Sequence, residues 1–451
     1  MRVPATPPKM TDILGCLDPD SVRRLSQDDY RECIADCQSS YRHWQTVQPI
    51  CRQRGLDPEI VWLALKMGRE QAARRTPFAG VDGRPICFSV PDVVRHELML
   101  IDQQLAGQIS LADEDTITHA ERERFIVSAL MEEAIASSLL EGAATTRRIA
   151  KEMLRTGRRP RDRSERMIVN NYATINRIRD DLDRPLTPDS LIELQATLTE
   201  GTLEDPGQVG RLRQPGESVV VSDEYGAILH TPPPPESLPD RMRVICDFAN
   251  QSTPSWEGQF VHPVVRAVLL HFQVAYDHPF CDGNGRTARA VFYWSMLRRG
   301  YWLFEYLPIS RLIYKSPAKY GRAFLYTETD DLDATYFLVY NARIISRARG
   351  ELREYLRDKR RTLAQARLML ARDRSLNHRQ HALLMHAMTH PDSIYTIQSH
   401  QNSHRVAYGT ARSDLLRLVE EGYLIQRTVG SRYVFTPAPT MEELPGRPSR
   451  L

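Results

Sequence analysis

His278-Pro279-Phe280-Cys281-Asp282-Gly283-Asn284-Gly285-Arg286-Thr287-Ala288-Arg289 stands between two apolar stretches of a 451-residue chain. Upstream, Pro263 suits the first turn of a helix that runs through Val265, Leu269 and Val274 and stops near Asp277. Pro279 keeps His278 out of that helix, because the proline ring crowds a helical residue before it. Downstream, Ala290 to Leu297 is apolar again. The segment therefore reads as a loop leading into a helix N-terminus.

The chemistry of such a loop follows from its residues. Gly283 and Gly285 allow backbone conformations closed to other residues and a close approach by a ligand. Successive N–H groups and the helix dipole make an anion cradle suited to phosphate. Arg286 and Arg289, three apart, can fork onto phosphate oxygens. Asp282 can hold a Mg²⁺ that bridges phosphates, and His278 can serve as a general base near neutral pH. No Gly-Lys-Ser/Thr follows, so this is not a Walker loop. The bland alternative is a glycine loop whose histidine caps a helix and whose arginines pair with surface acids.

The whole string resembles the Fic motif, HPFx(D/E)GNGRxxR, with every specified position present. The resemblance implies a mostly helical Fic core and transfer of AMP from ATP–Mg²⁺ to a Ser, Thr or Tyr hydroxyl. By the same carry-over His278 deprotonates the hydroxyl and Asp282 binds Mg²⁺. The Gly283–Gly285 backbone and Asn284 orient the α- and β-phosphates, and Arg286 and Arg289 hold the β- and γ-phosphates. Asp277 departs from the apolar residue of many relatives, and an acid beside the base is expected to raise the pKa of His278. Cys281 fills the variable position, where a redox role is the minor reading.

Ser137-Ser138-Leu139-Leu140-Glu141-Gly142 ends a helix that opens near Thr118. Ser137 and Glu141 are four apart and share a face; Gly142 releases the helix, and Thr145 or Thr146 can cap the next. Alone this is an ordinary helix end. Beside a Fic core it resembles the (S/T)xxxE(G/N) inhibitory helix. That likeness implies a Glu141–Arg289 pair obstructing the γ-phosphate.

Other segments fill in the plan. Helices are expected over 60–69 and 93–105, with Thr76-Pro77 and Asp82-Gly83 punctuating a loop between them. Ser218 to Val221 and Ala227 to Leu229, around the turn Asp223-Glu224-Tyr225-Gly226, read as a β-hairpin bounded by Pro232 to Pro235. It falls where Fic proteins place a flap that presents an extended target segment. Lys319-Tyr320 resembles the family's adenine-side tyrosine pair, with Gly321 where a second aromatic is common. Residues 341–374 read as one basic helix ending in Arg374, most simply a solvated face. Residues 376–437 carry three short helices and two strands joined at Gly430, which resembles an appended winged helix. There Arg405, Arg412 and Arg432 can meet DNA, while Asp414, Glu420 and Glu421 dilute the basic face; protein docking is the equal alternative.

Composition bounds the rest. Hydrophobic residues at 41% and charged residues at 26% are enough for buried cores. A net charge of +3 gives no whole-chain case for nucleic-acid binding. Seven scattered cysteines without a CxxC pair read as reduced thiols. Neither a signal peptide nor a run of roughly 18 apolar residues is seen, so a cytoplasmic protein with no membrane association is expected.

The expected fold is mainly α. A helical N-terminal region (1–115) precedes a Fic catalytic domain (116–350) with a hairpin flap, a helical linker (351–375) and a winged-helix domain (376–440). The expected partners are a protein with a hydroxyl side chain, DNA or a protein on the winged helix, and a second copy of the chain. Two rivals stand beside this reading. One is a Fic enzyme with another donor or an AMP-removing activity. The other is a DNA-binding regulator whose core only senses nucleotide.

Overall fold

A computed structural model describes all residues except 1, 106–118, 224, 252–254, 257, 373–375, 390–392, 430–431 and 439–451. The chain divides into two compact units, residues 1–109 with 128–349 and residues 110–127 with 350–451. The expected helix start at Thr118, the domain boundary at 115/116, Glu224, the helix end at Arg374 and the turn at Gly430 lie outside the described residues.

The first unit opens with α1 (Met10–Gly15), α2 (Pro19–Arg24), α3 (Asp28–Ser39), α4 (Trp44–Gln53) and α5 (Pro58–Ala72). Asp57 caps α5, accepting from the Glu59 N–H, and Pro58 fills its first turn. These helices bury Cys33, Cys37, Val47, Cys51, Trp62 and Leu63 together. The stretch after α5, expected as a loop, is instead an antiparallel hairpin, β1 (Arg74–Ala79) and β2 (Pro85–Phe88), with Arg74 opposite Phe88. Pro77 and Asp82-Gly83 hide it in the sequence. In the structure Thr76 and Phe78 alternate inward, Thr76 Oγ1 donates to Ile86 O (2.7 Å), and Asp82-Gly83 makes the turn.

Then follow α6 (Asp92–Leu105), α7 (His119–Leu140), α8 (Arg147–Thr156), α9 (Arg163–Asp180) and α10 (Pro188–Thr199). The flap strands β3 (Val221–Ser222) and β4 (Ile228–His230) precede α11 (Leu238–Asn250), a short hairpin β5 (Ser255–Trp256) with β6 (Gln259–Phe260), α12 (Pro263–Asp277) and α13 (Asn284–Arg298). α14 (Ile309–Tyr314), α15 (Pro317–Thr329) and α16 (Thr335–Arg372) complete the run, with α7 up to residue 127 and α16 from residue 350 counted in the second unit. α12 and α13 are buried nearly all round, from Val264 to Val274 and from Arg286 to Leu297. A helix with no solvated face has to lie at the centre of its domain.

An ionic knot ties α5 to the α15–α16 junction. Lys66 Nζ lies 2.7 Å from Asp330 Oδ1 and 3.2 Å from Asp331 Oδ2. Arg69 donates to the Tyr336 hydroxyl (2.9 Å) and lies 4.1 Å from the Tyr41 ring centroid. Tyr336 and Tyr41 donate in turn to Asp330 (2.7 Å) and Asp333 (2.6 Å).

In the second unit α17 (His378–Thr389), α18 (Ile397–His404) and α19 (Tyr408–Glu420) precede an antiparallel hairpin, β7 (Leu424–Val429) and β8 (Arg432–Pro437). They enclose Leu384, Leu415, Leu418 and Phe435. Asp414 does not dilute a surface. It is buried, bonded to Asn377 (2.7 Å), Arg379 (2.7 Å) and His400 (3.3 Å), and so joins the three helices. The side chain of Arg432 lies outside the described residues.

Lys66→Ala leaves the Asp330 carboxylate buried beside a missing cation. Urea denaturation is expected to show a loss of about 3–5 kcal/mol, most of it recovered in Lys66→Met/Asp330→Asn.

Candidate active site

The site forms where α12 ends and α13 begins. Pro279 stops α12, and His278 takes a left-handed backbone (φ 45°, ψ 56°) as its C-cap. The His278 N–H still donates to Val274 O (3.3 Å). Its Nδ1 lies 2.7 Å from Ala275 O, a pure acceptor, so Nδ1 carries the hydrogen and Nε2 keeps the lone pair. Burial holds the imidazole below the ordinary histidine pKa. The Ala275 carbonyl and Glu141 pull the other way, and the charges of His230 and Arg213 reinforce the depression. The ring is therefore a neutral base at pH 7.

Asp277 does not raise that pKa. It is buried and engaged elsewhere, accepting from Arg241 Nε (2.8 Å) and Gln273 Nε2 (2.9 Å), and burial raises its own carboxyl. The expectation fails because Arg241 and Gln273 take up the carboxylate and burial lowers the His278 pKa.

Across the loop, Phe280 is fully buried and anchors the turn. Asn284 clasps it: Oδ1 accepts from Phe280 N (2.9 Å) and Nδ2 donates to Phe280 O (2.7 Å). Expected as a phosphate ligand, its side chain is largely engaged in shaping the loop. Gly283 (φ 85°) precedes α13, and no side chain among the described residues caps that helix. The first-turn N–H groups are left for an anion. A Cβ on Gly283 would run into Thr199, and one on Gly285 would run into the Glu141 carboxylate. The anion beside this turn is thus the chain's own Glu141.

The two arginines are buried, at 1% and 3% exposure. Arg286 donates to Leu198 O (2.9 Å) and to Asp282 Oδ1 (3.3 Å). Arg289 donates to Ser137 Oγ (2.9 Å), Ser137 O (3.1 Å) and Glu141 Oε1 (2.9 Å). Arg286 Nε and Arg289 Nη1 are buried without a hydrogen bond among the described residues. Burial alone would raise the Glu141 carboxyl, but Arg289, with Arg286, holds it below its usual value.

Asp282 is partly exposed, with Arg163 3.5 Å from Oδ2. No metal-holding cluster of three or more such side chains occurs among the described residues. A lone carboxylate beside a phosphate cradle fits a Mg²⁺ that shares its shell with phosphates and water. The uncapped helix turn and the two orphaned guanidinium nitrogens fit a polyphosphate. Tyr320 lies behind Arg289 in an aromatic cluster with Phe324 and Phe337, its hydroxyl 2.8 Å from His271 Nε2. Cys281 has its thiol pushed up to about 11 by burial and Glu217, so it is no thiolate at neutral pH.

The flap hairpin is shorter than expected and shifted: Val221 pairs with His230 and Ser222 with Ile228. Sequence reasoning missed four polar residues that hold the loop. Gln195 is wholly buried, donating to Asp282 O (3.2 Å) and accepting from Gly210 N (2.8 Å). Its place on the apolar stripe of Leu191, Leu194 and Leu198 was a signal. Arg213 donates to His278 O (2.8 Å), and Arg241 reaches Asp277 and Ala79 O. In so arginine-rich a chain neither stands out. His230 bonds Tyr276 O and Glu328. The N-terminal region touches the site too, since Val81 N donates to the Tyr276 hydroxyl (3.1 Å).

Residues 185–296, which hold the flap, α12 and most of α13, match the Fic/DOC family. The chain carries a Fic/DOC domain. Protein adenylyltransferase Fic of Nematostella vectensis is 34% identical over 116 residues, 26% of this chain and 24% of that protein. Protein adenylyltransferase fic-1 of Caenorhabditis elegans is 31% identical over 97 residues, 22% of this chain and 17% of that protein. A uridine 5'-monophosphate transferase of Xanthomonas campestris pv. campestris (strain 8004) is 31% identical over 118 residues, 26% of this chain and 22% of that protein. The chain thus spans about a quarter or less of these curated relatives. A Fic family protein from Desulfovibrio desulfuricans G20 superposes with TM-score 0.51 at 18% identity, covering 84% of this chain and 100% of that one. At that identity the likeness speaks for the Fic fold. No helix among the described residues is long and apolar enough to cross a membrane.

Asn284→Ala frees both backbone groups of buried Phe280. A thermal melt is expected to report a loss of roughly 2 kcal/mol, while iodoacetamide at pH 7 should leave Cys281 of the native chain largely unlabelled.

Proposed function

We propose that the chain is a protein adenylyltransferase, moving AMP from ATP to a Ser, Thr or Tyr hydroxyl of a protein, itself included, and restrained by Glu141. The observation that carries this reading is a neutral imidazole with its Nε2 lone pair available, set beside an uncapped helix N-terminus and two buried arginines. Nε2 takes the proton of the hydroxyl as its oxygen attacks the α-phosphorus, and pyrophosphate leaves. His278 then returns its proton to solvent. The first turn of α13, Arg286 and Arg289 bind phosphate oxygens and hold them in line for displacement. Bound at Asp282, Mg²⁺ would offset charge on the departing phosphates. The edge of β4 receives an extended target segment, and Tyr320 sits on the adenine side.

The restraint rests on competition. The Glu141 carboxylate sits on Arg289 and against Gly285, and a phosphate needs the same guanidinium and the same space. The relative that transfers UMP favours a second reading of the donor. Glu141 and the cradle act on phosphates and are indifferent to the base, so UTP would be restrained alike.

Residues 376–440 are proposed as a winged helix that docks DNA or a protein. Three helices followed by a hairpin support it, with exposed Arg405 and Arg412 and an internal Asp414. DNA binding would weaken steeply with salt.

With α-³²P-ATP and Mg²⁺, Glu141→Gly is expected to raise labelling of protein roughly tenfold or more, and Glu141→Gly/His278→Ala to abolish it. Label from α-³²P-UTP but not from ATP would change the donor. Equal labelling of wild type and Glu141→Gly would end the restraint. His278 is active when unprotonated and its pKa lies below the ordinary value. The rate in Glu141→Gly should therefore hold as pH falls through the usual histidine range and drop only below it.

A further inference from the structure

The carbonyl groups at the end of α12 are all accounted for, and the accounting singles out His230. Val274 O accepts the His278 N–H, and Ala275 O accepts from His278 Nδ1. Asp277 O and His278 O accept from Arg213 Nη2 (3.4 Å) and Nε (2.8 Å). Tyr276 O faces His230 Nε2 at 2.7 Å. His230 comes from strand β4, and its other nitrogen, Nδ1, lies 2.7 Å from Glu328 Oε2 on α15. A carbonyl and a carboxylate only accept, so both ring nitrogens carry hydrogen and His230 is an imidazolium. Two cations, His230 and Arg213, thus cap the negative end of the helix that presents the base. Arg213 also donates to Pro233 O, just beyond the strand, so both caps grip the flap.

We propose that His230 is a positioning residue, a protonated cap that ties flap strand β4 to the end of α12 and so sets the target hydroxyl against His278. The proposal rests on the transferase reading for its kinetic consequences, but the cap itself does not. His230 is 8% exposed and lines an open pocket of about 460 Å³ with Arg84 and Asp82, which gives it a route to solvent protons. The charges around it are Glu328 on α15, Asp277 and His278 at the end of α12, Arg213 before the flap, Arg241 on α11, and Asp82 and Arg84 at the β1–β2 turn. Asp277 is matched by Arg241, and Arg84 by Asp82 and Asp331.

Burial works against the charge on His230, but Glu328 and the Tyr276 carbonyl outweigh it and raise the pKa above the ordinary value. The cap is therefore complete below the ordinary histidine pKa and is lost as pH rises through the raised one. That adds an alkaline limb to the activity. The positive charge of His230 also helps keep His278 unprotonated.

The test is a histidine-selective ¹³C/¹⁵N NMR titration of the full chain as wild type, Glu328→Gln and His230→Gln, with parallel self-labelling by α-³²P-ATP in the Glu141→Gly background. The expected result is a His230 resonance that stays imidazolium above the ordinary histidine midpoint, moves down in Glu328→Gln, and leaves a raised His278 midpoint in His230→Gln. Self-labelling should fall about tenfold to a hundredfold in His230→Gln, with ATP affinity unchanged, and the alkaline limb should move to lower pH in Glu328→Gln. A His230 midpoint at or below the ordinary value overturns the proposal. So does a His278 midpoint and labelling rate indifferent to His230→Gln. Should no variant transfer any nucleotide, the transferase reading falls, and the NMR titration alone decides the cap.

Discussion

A proline after a histidine fixes this site. Pro279 cannot follow a helical residue comfortably, so α12 has to stop at Asp277 with its last carbonyls unpaired by helix. The loop then reverses the chain within a few residues, and α13 starts with its first N–H groups uncapped. The negative end of one helix and the positive end of the next are brought side by side in the core. A base is stable at the first, where a carbonyl fixes its tautomer, and an anion is stable at the second. Asn284 on Phe280 and Gln195 on Asp282 keep that reversal in shape.

The Glu141 contact gives the start of α13 an anion from the chain itself. An anion at a helix start, forked by a buried guanidinium, lowers the energy of the whole arrangement whether it comes from a carboxylate or a phosphate. Burying Arg286 and Arg289 with unpaired nitrogens is a standing expense of the fold, and Glu141 offsets only part of it.

The loop from His278 to Arg289 was legible in the sequence because glycine, proline and paired arginines act locally. Pro263 and Pro279 bracket α12, and Gly283 with its positive φ marks the turn into α13. What was illegible depends on contacts far along the chain. Asp277 looked like a partner for His278 by adjacency, yet it faces Arg241. Asp414 looked like surface charge, yet it is the hub of three helices. The β1–β2 hairpin was masked by Pro77, because its pairing relies on the inward Thr76 and Phe78 rather than on strong strand formers. His230 gave no sign of its role, since its partners lie 46 and 98 residues away.

The ionic knot between α5 and the α15–α16 junction joins residues 264 apart in the sequence. A chain made from its N-terminus exposes Lys66 and Arg69 long before Asp330, Asp333 and Tyr336 have been synthesised. Until they arrive, the first five helices can bury their apolar stripes, but Lys66 has no acid to meet and Arg69 lacks the Tyr336 hydroxyl. Contacts so far apart in the chain slow folding, because the loop has to close before the contact rewards it. The β1–β2 hairpin that meets Tyr276 is itself tied to that junction, Cys87 N donating to Leu332 O (3.1 Å) and Ala334 N to Cys87 O (2.8 Å), so the support it gives the end of α12 is complete only when the junction exists. A nascent chain would therefore hold His278 in an unfinished frame, and the loop around it would take its final shape only with the completed unit.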